Sequence, residues 1–278
     1  MLTNKKVLFL GAGSMAEAMI AGIVKADKIP VTHITVSNYS NKERLQQLKE
    51  NYGIHTVSRA QLKIEHADII VLAMKPKDVE EALNLIYPIL QPHQLILSVI
   101  AGITTSFIEQ HLQNNQQVIR VMPNTSSAIG ESATAISSGK FTSEQNMIVA
   151  KNLLECIGEV YMIEESHMDI FTGIAGSGPA YFYYLMEHME NTATETGLPQ
   201  PLIREIIAQT ILGAAKMVQK EGENPSILRK KVTSPNGTTA AGLEALDSNG
   251  GGIAISKAVQ QAAEKSKSMS EQWQKSIV

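Results

Sequence analysis

"KVLFLGAGSMA" (Lys6–Ala16) is the stretch on which the fold turns. A short apolar run leads straight into Gly11, Ala12 and Gly13, and a helical apolar pattern begins at Ser14. A run too short for a helix and ended by glycine reads as a buried strand that bends at once into a helix. The pattern is G-x-G-x-x-A, with Ala16 in the last place. Between a strand and a helix it is the fingerprint of a dinucleotide site. Gly11 makes the tight turn, Gly13 lets the backbone approach a pyrophosphate, and Ala16 permits close packing of helix on strand. Leu10, Ala12, Ser14 and Met15 complete the cofactor turn, and the helix start supplies N–H donors and positive potential.

The same grammar repeats through the first half. "HITVS" (His33–Ser37) precedes a helical "NKERLQQLKENYG" closed by Gly53. "DIIVLAM" (Asp68–Met74) precedes "KPKDVEEALNLIYPIL", and "QLILSVI" (Gln94–Ile100) precedes "TTSFIEQHL", where Ser106 and Glu109 have capping-box spacing. "QQVIRVM" (Gln116–Met122) is a further strand. Continuous apolar strands alternating with helices imply an α/β class, with a mostly parallel sheet covered on both faces.

After about Glu164 strand-like runs vanish. "SGPAYFYYLMEHMENTATETG" reads as one helix, with Pro179 in its first turn. "PLIREIIAQTILGAAKMVQKEG" reads as a second, apolar on nearly every side at Ile203, Ile206, Ile207, Ile211, Leu212, Ala215 and Met217. An all-round apolar helix has to be buried. A domain of about 110 residues does that poorly without a partner chain. The expected organisation is a Rossmann-type domain over 1–164 and an all-helical substrate-binding and dimerisation domain over 165–278.

Composition narrows the function. The 278 residues are 44% hydrophobic and 18% charged, with a formal net charge of −3. No basic excess points to nucleic acid or to an anionic membrane. The single cysteine, Cys156, sits among apolar positions of "KNLLECIGEV", read as helical; it allows no intrachain disulfide and fits a reducing compartment. The seven histidines show no metal-ligand spacing. The N-terminus imitates a secretory leader, but its apolar run is short and glycine interrupts it. No stretch approaches the length of a membrane span, so a soluble cytoplasmic protein is expected.

The second strand chooses between nicotinamide cofactors. An NAD site usually has Asp or Glu about 20 residues beyond the glycine turn, bonded to the ribose 2′-OH. Here Ser37, Asn38, Tyr39 and Ser40 stand in that place, with Lys42 and Arg44 close by in sequence. No acid repels a 2′-phosphate, which favours NADP(H) and leaves NAD(H) open. Lys42 and Arg44 fit an exposed helix surface equally well. In an open parallel sheet, ligands meet the carboxyl ends of the strands. That places Met74, Lys75 and Pro76 beside the ribose and nicotinamide, and lets Ala101 and Gly102 lie against the ring.

Late in the chain, "VTSPNGTTAAGLEAL" (Val232–Leu246) puts Ser234, Gly237, Thr238 and Thr239 at a helix start. A plain cap needs one hydroxyl residue, and this stretch fits either a capped helix or the seat of a small anion. With "GAGSMA", "SNYS", "AMKP", "VMPNT" and "GSGPAY" (Gly176–Tyr181), it resembles pyrroline-5-carboxylate reductase, in order over nearly the whole chain. The resemblance implies a Rossmann domain, a helical domain interlocked into dimers, and larger rings of dimers. It implies reduction of 1-pyrroline-5-carboxylate to proline, the last step of proline biosynthesis.

It also implies site roles. The Gly237, Thr238 and Thr239 amides would hold the substrate carboxylate, and the Thr239 hydroxyl would meet the ring nitrogen as the catalytic contact. Ser234 would brace the loop, and Glu165 matches an acid near the substrate amine. Two positions depart from the family pattern. Asn236 replaces the first of paired glycines, where asparagine best tolerates positive φ. Tyr39 stands where an arginine often follows the asparagine. Two other readings are a related imine or 3-hydroxyacid reductase, for which Lys216 is the candidate general acid or base, and a non-catalytic NADP-binding relative with a regulatory or assembly role.

Overall fold

The computed structural model describes residues 2–195 and 197–275. Met1, Thr196 and 276–278, which the expected domains and helices include, lie outside the described residues. The chain divides into two compact units, one reaching to Ser177 and resuming at Gln261, the other Gly178–Gln260.

The first unit is built on one eight-stranded sheet. Its strands are β1 (Val7–Leu10), β2 (Ile34–Asn38), β3 (His55–Ser58), β4 (Ile69–Leu72), β5 (Leu95–Ser98), β6 (Gln117–Met122), β7 (Ser132–Ser138) and β8 (Gly158–Met162). They lie in the order β3-β2-β1-β4-β5-β6-β7-β8. Every pair is parallel except β6–β7. The helices of this unit are α1 (Ser14–Ala26), α2 (Lys42–Tyr52), α3 (Val79–Ile86), α4 (Thr105–Gln110), α5 (Glu144–Leu154) and α6 (Met168–Phe171).

Strand β1 shows why the apolar runs are continuous. Val7 and Phe9 enter the core beneath α1 and α5, with Met19, Ile23 and Leu153. Leu8 and Leu10 enter the opposite core, with Leu83 and Ile86 of α3 and Phe107 of α4. Alternate side chains point to opposite faces, and both faces are covered, so no polar position is left on the strand. Trimming Phe9 to alanine would cost about 3–5 kcal/mol.

Two local expectations change. Thr104, not Ser106, caps α4: its hydroxyl accepts from the Phe107 amide at 3.1 Å. Ser106 bonds the Thr104 hydroxyl instead, and the Glu109 carboxylate accepts from the Lys140 amide. Cys156 lies not in a helix but in the turn between α5 and β8. It is buried, and that burial pushes its thiol pKa up.

The second unit is helical: α7 (Gly178–Thr194), α8 (Gln200–Glu221), α9 (Pro225–Lys231), α10 (Thr238–Ser248) and the first part of α11 (Gly251–Lys275). A π-helical turn, Thr172–Gly176, joins α6 to α7. Helix α8 buries only Ile203 and Ile207 within the chain. Ile206 is 52% exposed, and Leu212 and Met217 are similar, so the all-round burial expected of α8 is not reached inside one chain. Phe182, Tyr183 and Tyr184 of α7 and Ile253 of α11 are exposed too. An apolar surface this extensive is characteristic of an interface rather than of a solvated helix face. No described helix is long and apolar enough to cross a membrane.

Candidate active site

The glycine turn sits where the strand order reverses, with β1 paired to β2 on one side and β4 on the other. Gly11 takes φ +115°, and its amide donates to the Ser37 carbonyl at 2.8 Å. A Cβ there would be driven into the Ala73 carbonyl. Only glycine fits such a turn. Gly13 differs. It is the N-cap of α1, no side chain caps it, and a Cβ built on it meets nothing within 4 Å. Its smallness answers no demand of the protein's own packing, and the first-turn amides of α1 have no side-chain partner. These are the properties of a seat for a pyrophosphate, so the residues present fit a dinucleotide.

Beside this turn lies a cavity of about 300 Å³. Leu10, Gly11, Ser37, Asn38, Tyr39 and Met74 line it, all from the cofactor residues read in the sequence. Ser40, Arg59, Leu62, Asp78, Glu81, Ala82 and Leu85 complete the lining. Ala12, Gly13, Ser14 and Met15 belong to the turn and the first turn of α1 rather than to the cavity wall. Lys75 is exposed and, with Pro76, opens a 3₁₀ turn after β4, while Ala101 lies exposed beyond β5; none of the three lines the cavity.

The cations read near the 2′-phosphate are placed otherwise. Arg44 Nε donates to the Ala12 carbonyl at 2.9 Å, and its Nη2 pairs with the Glu17 carboxylate. The Tyr52 hydroxyl bonds the same carboxylate at 3.2 Å. Arg44 thereby braces the glycine turn from behind, and Lys42 is exposed away from the cavity lining. The Tyr52 pKa is raised, first by burial and then by Glu17.

In the second unit, Ser234 to Gly237 form a turn closed by a 3.1 Å bond from the Gly237 amide to the Ser234 carbonyl. Pro235 and Asn236 occupy its centre, with Asn236 at φ +60°. Proline followed by a residue of positive φ is the pattern of a type II turn. Gly237 is the N-cap of α10 and offers no side chain to the first-turn amides. A Cβ on Gly237 would collide with the Ser234 hydroxyl. Among the described residues, no side-chain hydrogen bond engages the Thr238 or Thr239 hydroxyl, and both residues are exposed. Helices α2, α4, α5 and α9, by contrast, are capped by Asn41, Thr104, Ser143 and Asn224.

Glu165 belongs to the first unit. Its carboxylate accepts from the Thr105 amide at 2.9 Å and the Thr105 hydroxyl at 2.5 Å, and lies 3.4 Å from the buried Arg120. Arg120 also lies 4.0 Å from Asp169, which accepts from Ser266 of α11 at 2.7 Å. This network ties β6, α4, α6 and α11 together. A second organising residue, Asn124 of "VMPNT", went unread as a contact. Its amide donates to Ser132 at 3.1 Å, and its side-chain nitrogen donates to the Ala175 carbonyl in the π turn at 3.0 Å.

Comparison with known proteins places this geometry. Residues 165–269 match the family model for pyrroline-5-carboxylate reductase dimerisation, and residues 6–102 match that for coenzyme F420-dependent NADP oxidoreductase. Pyrroline-5-carboxylate reductase 1 of Bacillus subtilis is 62% identical over 272 residues, 98% of this chain and 92% of that protein. The chain belongs to the pyrroline-5-carboxylate reductase family. A crystal structure of the Plasmodium falciparum pyrroline carboxylate reductase with NADP bound superposes with a TM-score of 0.88 at 31% identity, covering 97% of this chain and 100% of that one. The Coxiella burnetii pyrroline-5-carboxylate reductase gives 0.86 at 29%, covering 96% and 98%.

Proposed function

We propose that this chain reduces the C=N bond of 1-pyrroline-5-carboxylate to give L-proline, with NADPH favoured and NADH accepted. The observation that carries the reading is the 62% identity to a pyrroline-5-carboxylate reductase over 98% of this chain, together with the uncapped start of α10 behind its Ser-Pro-Asn-Gly turn. The product gains a hydride at C5 and a proton at nitrogen. NADPH, when bound, supplies the hydride.

The protein's own residues bind and orient. The first turn of α1 and the residues Gly11 to Met15 hold the pyrophosphate. Leu10, Ser37, Asn38, Tyr39 and Met74 enclose the adenosine half, and Lys75, Pro76 and Ala101 flank the path toward the nicotinamide. The amides of Thr238 and Thr239 take the substrate carboxylate at the positive end of α10, while the Gly237 amide, read as a third donor, closes the turn on the Ser234 carbonyl. The Thr239 hydroxyl hydrogen-bonds the ring nitrogen and fixes the face that C5 presents. A threonine hydroxyl is a poor acid, so it orients the imine rather than serving as the ultimate proton source. Most of the rate then comes from alignment of two carbons. Ser234 keeps Gly237 in place. Glu165, read as a contact to the substrate amine, has its carboxylate committed to Thr105 and Arg120, and its role is to hold α4.

The exposed apolar faces of α7, α8 and α11 support self-association as a dimer, with a ring of dimers as the larger assembly. One reduced, buried thiol suits the cytoplasm. The test is loss of NADPH absorbance with racemic pyrroline-5-carboxylate, with NADH run in parallel and proline measured as product. Proline formed in step with NADPH consumed is the expected result. A folded oligomer that binds NADPH and turns over nothing would overturn the enzymatic reading in favour of a non-catalytic relative.

A further inference from the structure

The rim of the cofactor cavity carries a cation that the glycine motif does not name. Arg59 follows β3 directly and opens a short 3₁₀ turn. Strand β3 pairs with β2 through Ser58 and Asn38, so the residue after Ser58 is delivered to the tip of β2. Its guanidinium carbon lies 5.0 Å from the centre of the Tyr39 ring, within range of a cation–π contact. Its Nη1 lies 3.3 Å from Glu81 Oε1. Arg59, Tyr39 and Glu81 all line the cavity, with Ser37, Asn38 and Ser40. Among the residues lining it, Arg59 is the one cation, and Asp78 and Glu81 are acids.

We propose that Arg59 is the residue of this chain that recognises the 2′-phosphate of NADPH. Tyr39 is the platform that holds the guanidinium plane. Glu81 is the carboxylate that pairs with Arg59 until the phosphate takes its place. The proposal rests on the reading that this cavity receives the adenosine half of a nicotinamide dinucleotide.

Three observations support it. The carboxyl end of β2 is where a Rossmann sheet meets the ribose 2′ position, and an arginine nearby is what accommodates a phosphate there. The alternatives are spent: Arg44 is bound to Ala12 and Glu17, and Lys42 is not in the lining. The Glu81 side chain is 63% exposed, so its pairing with Arg59 is a surface ion pair, weak enough for a dianion to displace. A planar guanidinium matches a phosphate in a two-point contact that lysine does not reproduce. Without Arg59, Asp78 and Glu81 would face the phosphate unopposed.

The test uses the whole oligomer and two nucleotides that lack nicotinamide, so it reads binding and not turnover. Adenosine 2′,5′-bisphosphate and 5′-AMP are titrated by calorimetry into the natural protein and into Arg59→Met, Arg59→Lys and Glu81→Gln. The natural protein is expected to prefer the bisphosphate. Arg59→Met is expected to weaken bisphosphate binding about 10- to 100-fold and to leave 5′-AMP within about twofold, the span of a charge-assisted two-point contact. Arg59→Lys should fall between, and Glu81→Gln should tighten the bisphosphate by a few-fold. Equal weakening of both nucleotides by Arg59→Met would overturn the proposal and make Arg59 a structural residue. Unchanged bisphosphate binding would place 2′ recognition elsewhere and leave the cofactor reading standing. Failure of the natural protein to bind either nucleotide would overturn both.

Discussion

Helices α1 and α10 both begin on a glycine, and no side chain caps either first turn, yet their surroundings differ. The start of α1 is held from every side. Gly11 is pinned between Ser37 and Ala73, Arg44 reaches back to Ala12, and β1 lies between two parallel neighbours. The start of α10 is held by its own four-residue turn, in a unit many of whose apolar side chains remain exposed. One site is finished by the chain that carries it. The other belongs to a unit that one chain leaves unfinished. The start of α1 is therefore fixed within one sheet, whereas the proposed substrate seat lies in a unit with apolar faces that one chain leaves uncovered.

The sharpest way to break this contrast is at Gly11. Alanine there combines a positive φ with a backbone overlap at Ala73. Gly11→Ala is expected to weaken NADPH binding by about 100-fold or more, equivalent to about 2.7 kcal/mol, measured by fluorescence titration. Binding within a few-fold of the natural protein would show that the turn relaxes and that the strand–turn–helix corner is not rigid.

At the other helix start, Thr239→Ala removes a hydroxyl that no side-chain hydrogen bond engages among the described residues. Turnover should fall about 10- to 100-fold, the loss of one hydrogen bond that strengthens along the reaction, while NADPH affinity stays constant. Steady-state rates and the same titration separate the two. Unaltered turnover would remove Thr239 from the mechanism.

What could be read in advance follows the same division. Strands β1, β4, β5 and β6 are buried on both faces, and burial on both faces writes an apolar run, broken within β6 by the buried Arg120. Strands β3 and β8 form the two edges of the sheet, and their half-exposed residues break the run. Strand β7 is "SATAISS", largely buried but made mostly of small residues, four of them hydroxyl-bearing, that carry little hydrophobic signal. Missing β3 also hid Arg59, whose place beside Tyr39 depends on β3 pairing with β2. The contacts of Arg44, open in the sequence between a phosphate and a helix surface, are set by tertiary structure: Glu17 and the Ala12 carbonyl, distant in sequence, capture its guanidinium. The Ser234–Thr239 turn was legible because it is local, and proline, a positive-φ residue and glycine fix it by themselves.

Within the helical unit, α7 and α8 are joined by a two-point ion pair. Arg204 donates to the two oxygens of Glu190 at 2.7 and 3.0 Å. Those hydrogen bonds hold the Glu190 pKa below its ordinary 4.5. A carboxylate depressed in the folded state stabilises at pH values above its unfolded pKa, and the contribution is lost as pH falls through the folded value. Glu190→Gln should lower the melting temperature by a few degrees near neutral pH, and the difference should close below pH 4.5. A gap that persists in acid would mean that packing, not charge, joins these helices.

The smallest effect is expected at Asn236, and it bears most directly on the substrate turn. Asn236 sits at φ +60°, in the left-handed region. Asparagine tolerates this region better than other side-chain-bearing residues, because its short amide bonds nearby backbone. Glycine enters it freely but loses more freedom on folding, at a cost of about 0.5–1 kcal/mol against a residue that already fits. The two terms oppose each other, so Asn236→Gly should change kcat/KM by less than about threefold and stability by less than about 1 kcal/mol. Asn236→Val should do neither: a β-branched residue resists positive φ, the turn opens, and the Gly237 amide leaves the Ser234 carbonyl. A KM that rises with Asn236→Val while NADPH affinity holds would tie the turn to substrate carboxylate binding. A marked gain in turnover with Asn236→Gly would show instead that the asparagine restrains the loop, and that the α10 start works better when its approach is more flexible than that of α1.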